Sequence, residues 1–216
     1  MVELIRGLSA ERVAANLSRV REEIAAAGRE PDEVEVLAAT KYLASEELPV
    51  LAAAGIRLVG ENRAQDLLAK VDEHGPAFTW DFIGHLQSRK VATVLPHVRY
   101  IHSVASDSAL GQLARHGTPD TEVLVEVNVA GESGKSGLDP ADLPGFLDRC
   151  PVKVVGLMTM PPLAERPEDS RPHFSTLREL ARRHGLRHLS MGTSQDYQVA
   201  LQEGATIVRL GSTLYG

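Results

Sequence analysis

Apolar residues along this chain fall into two alternating periods. Val13, Leu17, Val20 and Ile24 recur at helical spacing between a capping Ser9 and a closing Gly28, which predicts a first amphipathic helix. Beyond it come short apolar runs suited to buried parallel strands, each followed by a helical stretch punctuated by Gly, Pro or Asp. The runs predict strands at 34–40, 57–59, 80–83, 99–103, 122–128, 152–157, 187–190 and 205–210. Helices are predicted near 45–54, 63–73, 87–95, 107–116, 140–149, 168–184 and 195–203. Eight β/α units predict a single (β/α)8 TIM barrel over 1–216, because each parallel connection demands a crossover helix. An open doubly wound sheet is the alternative that the alternation leaves. The Pro-rich stretch MPPLAERPEDSRP at 160–172 reads as a long surface connector rather than a lid.

Composition narrows the function classes. A chain of 216 residues is near the short end for one barrel, and a net charge of -6 gives no basic field for nucleic acid. The single Cys150 excludes an internal disulfide, and its place before Pro151 suits a packed side chain rather than a nucleophile. The start MVELIRGLSAERVAANL lacks the apolar core and cleavage site of a secretory signal, and no window holds the ~20 apolar residues of a membrane span. A cytoplasmic protein is expected. The histidines show no metal-ligand spacing.

In a barrel, chemistry sits at the C-terminal ends of the strands. The residues there are Lys41; Gly60, Glu61 and Asn62; Gly84 and His85; Asn128; Met158; Ser190 to Ser194; and Arg209 to Ser212. Lys41 follows the run VLAAT, so its amine is expected at an aliphatic mouth where desolvation favours the neutral, nucleophilic form; a lysine snorkelling into water is the alternative. Arg209 stands inside an apolar strand and requires an acceptor in the mouth. Gly211 and Ser212 open a short final helix, and Ser190, Gly192 and Ser194 make a similar turn, so amides at two neighbouring turns suit a phosphate or serve as plain helix caps. GESGKSG imitates a nucleotide-binding loop but has Val129 where that motif requires glycine, so Lys135 is expected as a solvated loop cation, with contact to anionic ligands at the mouth as the alternative. His85 is expected near the mouth in a structural hydrogen bond.

Seven stretches in order, LAATKY, LVGENRAQ, WDFIGHLQSRK, SGKSGL, VVGLMTM, LSMGTSQDY and IVRLGSTLYG, resemble the YggS/PROSC family of pyridoxal phosphate homeostasis proteins. The resemblance implies a barrel of the alanine racemase N-terminal type with pyridoxal 5′-phosphate (PLP) as a Schiff base on Lys41. It implies further that Ser190, Gly211 and Ser212 bind the phosphate, that Arg209 faces the pyridine nitrogen, and that Asn62 lies near the ring. Many members carry a second lysine where this chain has Leu43, and an acidic pair where it has Gln195 and Asp196. Alanine racemases draw a second base from an added β domain, and this chain ends at Gly216. The expectation is therefore a monomeric PLP carrier rather than an enzyme, maintaining vitamin B6 and amino-acid pools and serving PLP-dependent apoenzymes. A weak racemase-like enzyme and a cofactor-free Schiff-base lyase are the alternatives.

Overall fold

The computed structural model describes residues 4–216. Eight parallel strands close into a barrel: β1 (Glu35–Ala39), β2 (Leu58–Glu61), β3 (Thr79–Phe82), β4 (Tyr100–Val104), β5 (Glu122–Glu126), β6 (Lys153–Met158), β7 (His188–Thr193) and β8 (Ile207–Leu210). Closure is direct, since Leu37 pairs with Arg209 between β1 and β8, and it excludes the open sheet. Strand residues alternate between two hydrophobic cores. Ala38, Val59, Ile101, Val123 and Val208 pack outward under the helices, while Leu37, Tyr100, Leu124, Val155 and Ile207 form a separate cluster on the inner face.

The covering helices are α1 (Ala10–Ala26), α2 (Leu48–Ala53), α3 (Ala64–His74), α4 (Val91–Val94), α5 (Asp107–His116), α6 (Leu143–Arg149), α7 (Arg171–Arg183), α8 (Tyr197–Gln202) and α9 (Ser212–Tyr215). The first helix forms as its pattern predicts: Ser9 Oγ accepts from the Arg12 amide, and Val13, Leu17, Val20 and Ile24 are buried. It packs against α2, α8 and α9, so it covers the β8–β1 seam that no long helix follows. Asn16 ties it to the chain end by donating to the carbonyls of Leu214 at 3.1 Å and Gly216 at 3.0 Å. Among the described residues no helix is long and apolar enough to cross a membrane.

Several boundaries differ from the sequence pattern, each for a local reason. The helix predicted at 87–95 breaks into a 3-10 turn, Ser88–Lys90, the single turn α4, and a second 3-10 turn, Leu95–His97, where Pro96 has no amide to continue the ladder. α6 and α7 begin later than predicted, each with a proline in its first turn, where a missing N–H costs nothing. β5 ends at Glu126, with Val127 making only an isolated bridge to Leu138. β7 runs on past Ser190 to Thr193. Gly192 (φ +89°) lies inside a register shift between the pairs Ser190–Ile207 and Thr193–Arg209, and a side chain there would meet Ala200 Cβ at 2.6 Å.

At the mouth, the exit of β3 lies against the exit of β2. A Cβ added at Gly84 would lie 2.0 Å from the Asn62 carbonyl oxygen and 2.4 Å from its Cα, both backbone atoms that cannot swing aside. Gly84→Ala is expected to lower stability by about 1–3 kcal/mol, the range for forced overpacking, measured as a lower urea midpoint. An unchanged midpoint would show that the two exits are free to separate.

Candidate functional site

Arg209 sits on the inner face of β8, next to β1, with 5% of its surface exposed. Its Nη1 donates to Ser190 O at 2.7 Å and Ser190 Oγ at 2.6 Å; its Nη2 donates to Thr159 O and to the Met160 sulfur, each at 2.9 Å. All four partners are neutral. Burial pushes the guanidinium down to about 10, while Asp196 and Glu126 pull it up through space, so it stays charged at neutral pH. The expected acceptors exist, and one edge of the fork reaches only a half-exposed thioether, a weak acceptor, at the mouth.

Beside Arg209 the turns after β7 and β8 meet. Ser194 Oγ accepts from the amides of Gly211 at 3.2 Å and Thr213 at 3.1 Å, so one side-chain oxygen already occupies a pair of converging N–H groups. The turn below is fixed by Asp196, whose Oδ1 takes the Thr193 amide at 2.7 Å and hydroxyl at 3.1 Å and whose Oδ2 takes Ser170 Oγ at 2.9 Å. Ser212 is exposed at the start of α9.

Ser190 departs from its expected place. It is 0% exposed, three residues before the strand ends, and its hydroxyl is held by Arg209 and His102 instead of facing the turns. Its position is therefore beneath the guanidinium, and Ser194 is the serine at the amide-lined turn. The misplacement follows from β7 being longer than its apolar run.

Asn62 is half-buried at the exit of β2, and its Oδ1 is buried without a hydrogen-bond partner. An orphaned acceptor at a barrel mouth fits a polar ligand. Lys41 follows β1 at the same rim, but its ammonium is exposed and lies 4.8 Å from the centroid of the Tyr42 ring. The aliphatic enclosure expected of it is not formed among the described residues, since Lys41 and Tyr42 are both exposed in the turn after Thr40. What is rigid is the root of Lys41. Lys70 on α3 donates to Thr40 O at 2.8 Å and pairs with the wholly buried Glu61; Thr40 Oγ1 donates to Glu61 Oε1 at 2.8 Å; Tyr215 OH donates to Ala39 O at 3.2 Å.

Of the remaining candidates, His85 lines one cleft with Asn62. His85 is exposed rather than engaged in a structural hydrogen bond, and Lys135 is an exposed loop cation paired with Glu132. Burial pushes the Cys150 thiol up, away from the nucleophilic thiolate. Among the described residues no group of three His, Cys, Asp or Glu side chains could hold a metal ion. Asp81 and His102 carry the signal that marks Arg209, a polar residue in a largely apolar strand, whereas Lys70 stands in a polar helix that gives no such signal.

Residues 8–216 match the model of the alanine racemase N-terminal domain family. A pyridoxal phosphate homeostasis protein of Aquifex aeolicus is 39% identical over 220 residues, covering 95% of this chain and 96% of that protein. A protein of unknown function from Bifidobacterium adolescentis has a crystal structure that superposes with a TM-score of 0.87 at 32% identity, over 99% of this chain and 98% of the other. The structure of PipY from Synechococcus elongatus with PLP bound superposes with a TM-score of 0.79 at 32% identity, over 94% of this chain and 100% of the other. A full-length match to relatives of that name, on a closed eight-stranded barrel, makes this chain a member of the pyridoxal phosphate homeostasis family, built on the alanine racemase N-terminal barrel.

Proposed function

We propose that this protein binds PLP covalently through Lys41 and acts as a cytoplasmic, monomeric carrier that buffers the cofactor and supplies PLP-dependent apoenzymes. The observation that carries the reading is the meeting of the β7 and β8 turns beside Arg209. There the amides of Gly211 and Thr213 converge on Ser194 Oγ, two residues past the fixed guanidinium, and a phosphate oxygen would take them by displacing that hydroxyl. The relative with PLP bound supports the choice of ligand.

The residues divide the work by chemistry. The Gly211 and Thr213 amides, with the hydroxyls of Ser194 and exposed Ser212, would bind the phosphate. Asn62 would offer its orphaned Oδ1 to a polar group on the ring. Arg209 presents donors alone, so whatever faces its fork must accept, and it would hold a pyridine nitrogen unprotonated. When bound, the cofactor supplies an aldehyde, which a primary amine attacks to form C=N with loss of water. Lys41, rooted at Ala39 and Thr40 but exposed at its tip, is the amine at the rim suited to that condensation.

The same Arg209 argues for carriage over turnover. A ring nitrogen held unprotonated weakens the electron sink that carbanion chemistry requires. The loaded protein is therefore expected to exchange the α-hydrogen of L-alanine for deuterium in D2O no faster than free PLP; exchange at an enzymatic rate would make it a racemase-like enzyme. PLP added to the wild type is expected to develop a yellow absorption band that Lys41→Ala does not develop, with the circular dichroism of the two proteins matching. A wild type that stays colourless would overturn the PLP reading.

A further inference from the structure

Arg209 has no carboxylate ion pair among the described residues, yet the barrel interior connects it to one. Its Nη1 donates to Ser190 Oγ at 2.6 Å, Ser190 Oγ lies 2.9 Å from His102 Nδ1, and His102 Nε2 lies 3.1 Å from Asp81 Oδ2. Asp81 in turn accepts from Arg99 at 3.1 and 2.7 Å and from the Tyr100 amide at 3.2 Å. Arg99 completes the line with a fork on Glu35, at 2.5 and 3.2 Å. The chain thus crosses the barrel from β8 through β7 and β4 to β3 and ends at β1.

Donors and acceptors along it can be assigned in one direction only. Burial by itself would raise Asp81, but the hydrogen bond from His102 and the hydrogen bonds and charge of Arg99 offset this and hold it below the usual carboxylate range. Asp81 is therefore ionised and only accepts, so His102 Nε2 carries a proton. Burial pushes the His102 ring below its ordinary value, outweighing the pull of Asp81, so the ring is neutral and Nδ1 accepts. Ser190 must then give its hydroxyl proton to Nδ1, and its lone pair is left for Arg209. A serine, a histidine and an aspartate in sequence also make up hydrolase triads. Here Ser190 is 0% exposed and engaged on both sides, so no substrate can reach it.

We propose that Ser190, His102 and Asp81 are positioning residues for the cofactor: a one-way relay that fixes the plane of the Arg209 guanidinium and couples it to the negative charge of Asp81. This rests on the assignment of Arg209 to the pyridine nitrogen. His102 and Asp81 lie beneath the mouth and touch no ligand; both are fully buried and act through Ser190.

Three variants test the relay: Ser190→Ala, Asp81→Asn and the double substitution, each titrated with PLP. Each single change is expected to weaken binding about tenfold, the effect of one hydrogen bond to a charged group, and to move the visible band of bound PLP. The double variant is expected to bind no more weakly than the worse single one, because both cut the same line. Unchanged affinity in Ser190→Ala, or losses that multiply in the double variant, would overturn the relay. Asp81 also holds Arg99, so the 15N spectrum of wild-type apoprotein histidines gives a second reading that requires no variant to bind. His102, identified by the signal lost in His102→Gln, is expected as the neutral Nε2–H tautomer at pH 7; an Nδ1–H tautomer or an imidazolium would contradict the proposal. A wild type that fails to bind PLP would sink the cofactor assignment alone, and the tautomer would still decide the relay.

Discussion

A cation enclosed in a parallel barrel sets the terms for everything around it. Burying a guanidinium costs several kcal/mol unless its donors are satisfied, and Arg209 satisfies them with two carbonyls, a hydroxyl and a thioether drawn from β7 and from the exit of β6. Those partners constrain their own strands. Ser190 O accepts from Arg209 and also from the Thr159 amide at 3.3 Å, using both lone pairs, and its side chain is committed to the interior. The register shift between Ser190 and Thr193, with Gly192 inside it, carries Thr193 and Ser194 on to the turn that meets Gly211. The Ser194 turn and the seating of the guanidinium are thus two consequences of one local geometry in β7.

Past the end of the neighbouring strand β1 stands Lys41, held by a different device. A buried Glu61–Lys70 pair outside the barrel wall fixes the Thr40 carbonyl, and Tyr215 fixes that of Ala39. Breaking such a pair by removing one partner typically costs 3–5 kcal/mol, so the backbone before Lys41 is firmly placed. The side chain beyond it is exposed and lies over the face of Tyr42. A fixed root with an accessible amine suits reversible loading better than a lysine locked inside a closed site.

The order of eight strands was readable from apolar runs separated by turn residues, because a barrel imposes that pattern on every strand buried on both faces. Lys41, Arg209 and Gly211 were readable for the same reason, as polar or small residues ending those runs. Ser190 was not. Its placement depends on Gly192 continuing the strand through a positive φ, and a glycine in sequence marks a turn as readily as a bulge. His102 and Asp81 escaped because their role is set by partners on distant strands, 88 residues apart in the case of His102 and Ser190. The exposure of Lys41 escaped as well, since a strand pattern gives the direction of a residue within the strand and says nothing of one just past its end.

The most direct test of the central claim is chemical. The purified protein would be loaded with PLP, reduced with borohydride and digested, and the phosphopyridoxyl group located by peptide mass spectrometry. The account predicts the group on the Lys41 peptide. Its placement on another lysine, such as Lys70 or Lys135, with Lys41 unmodified would contradict it.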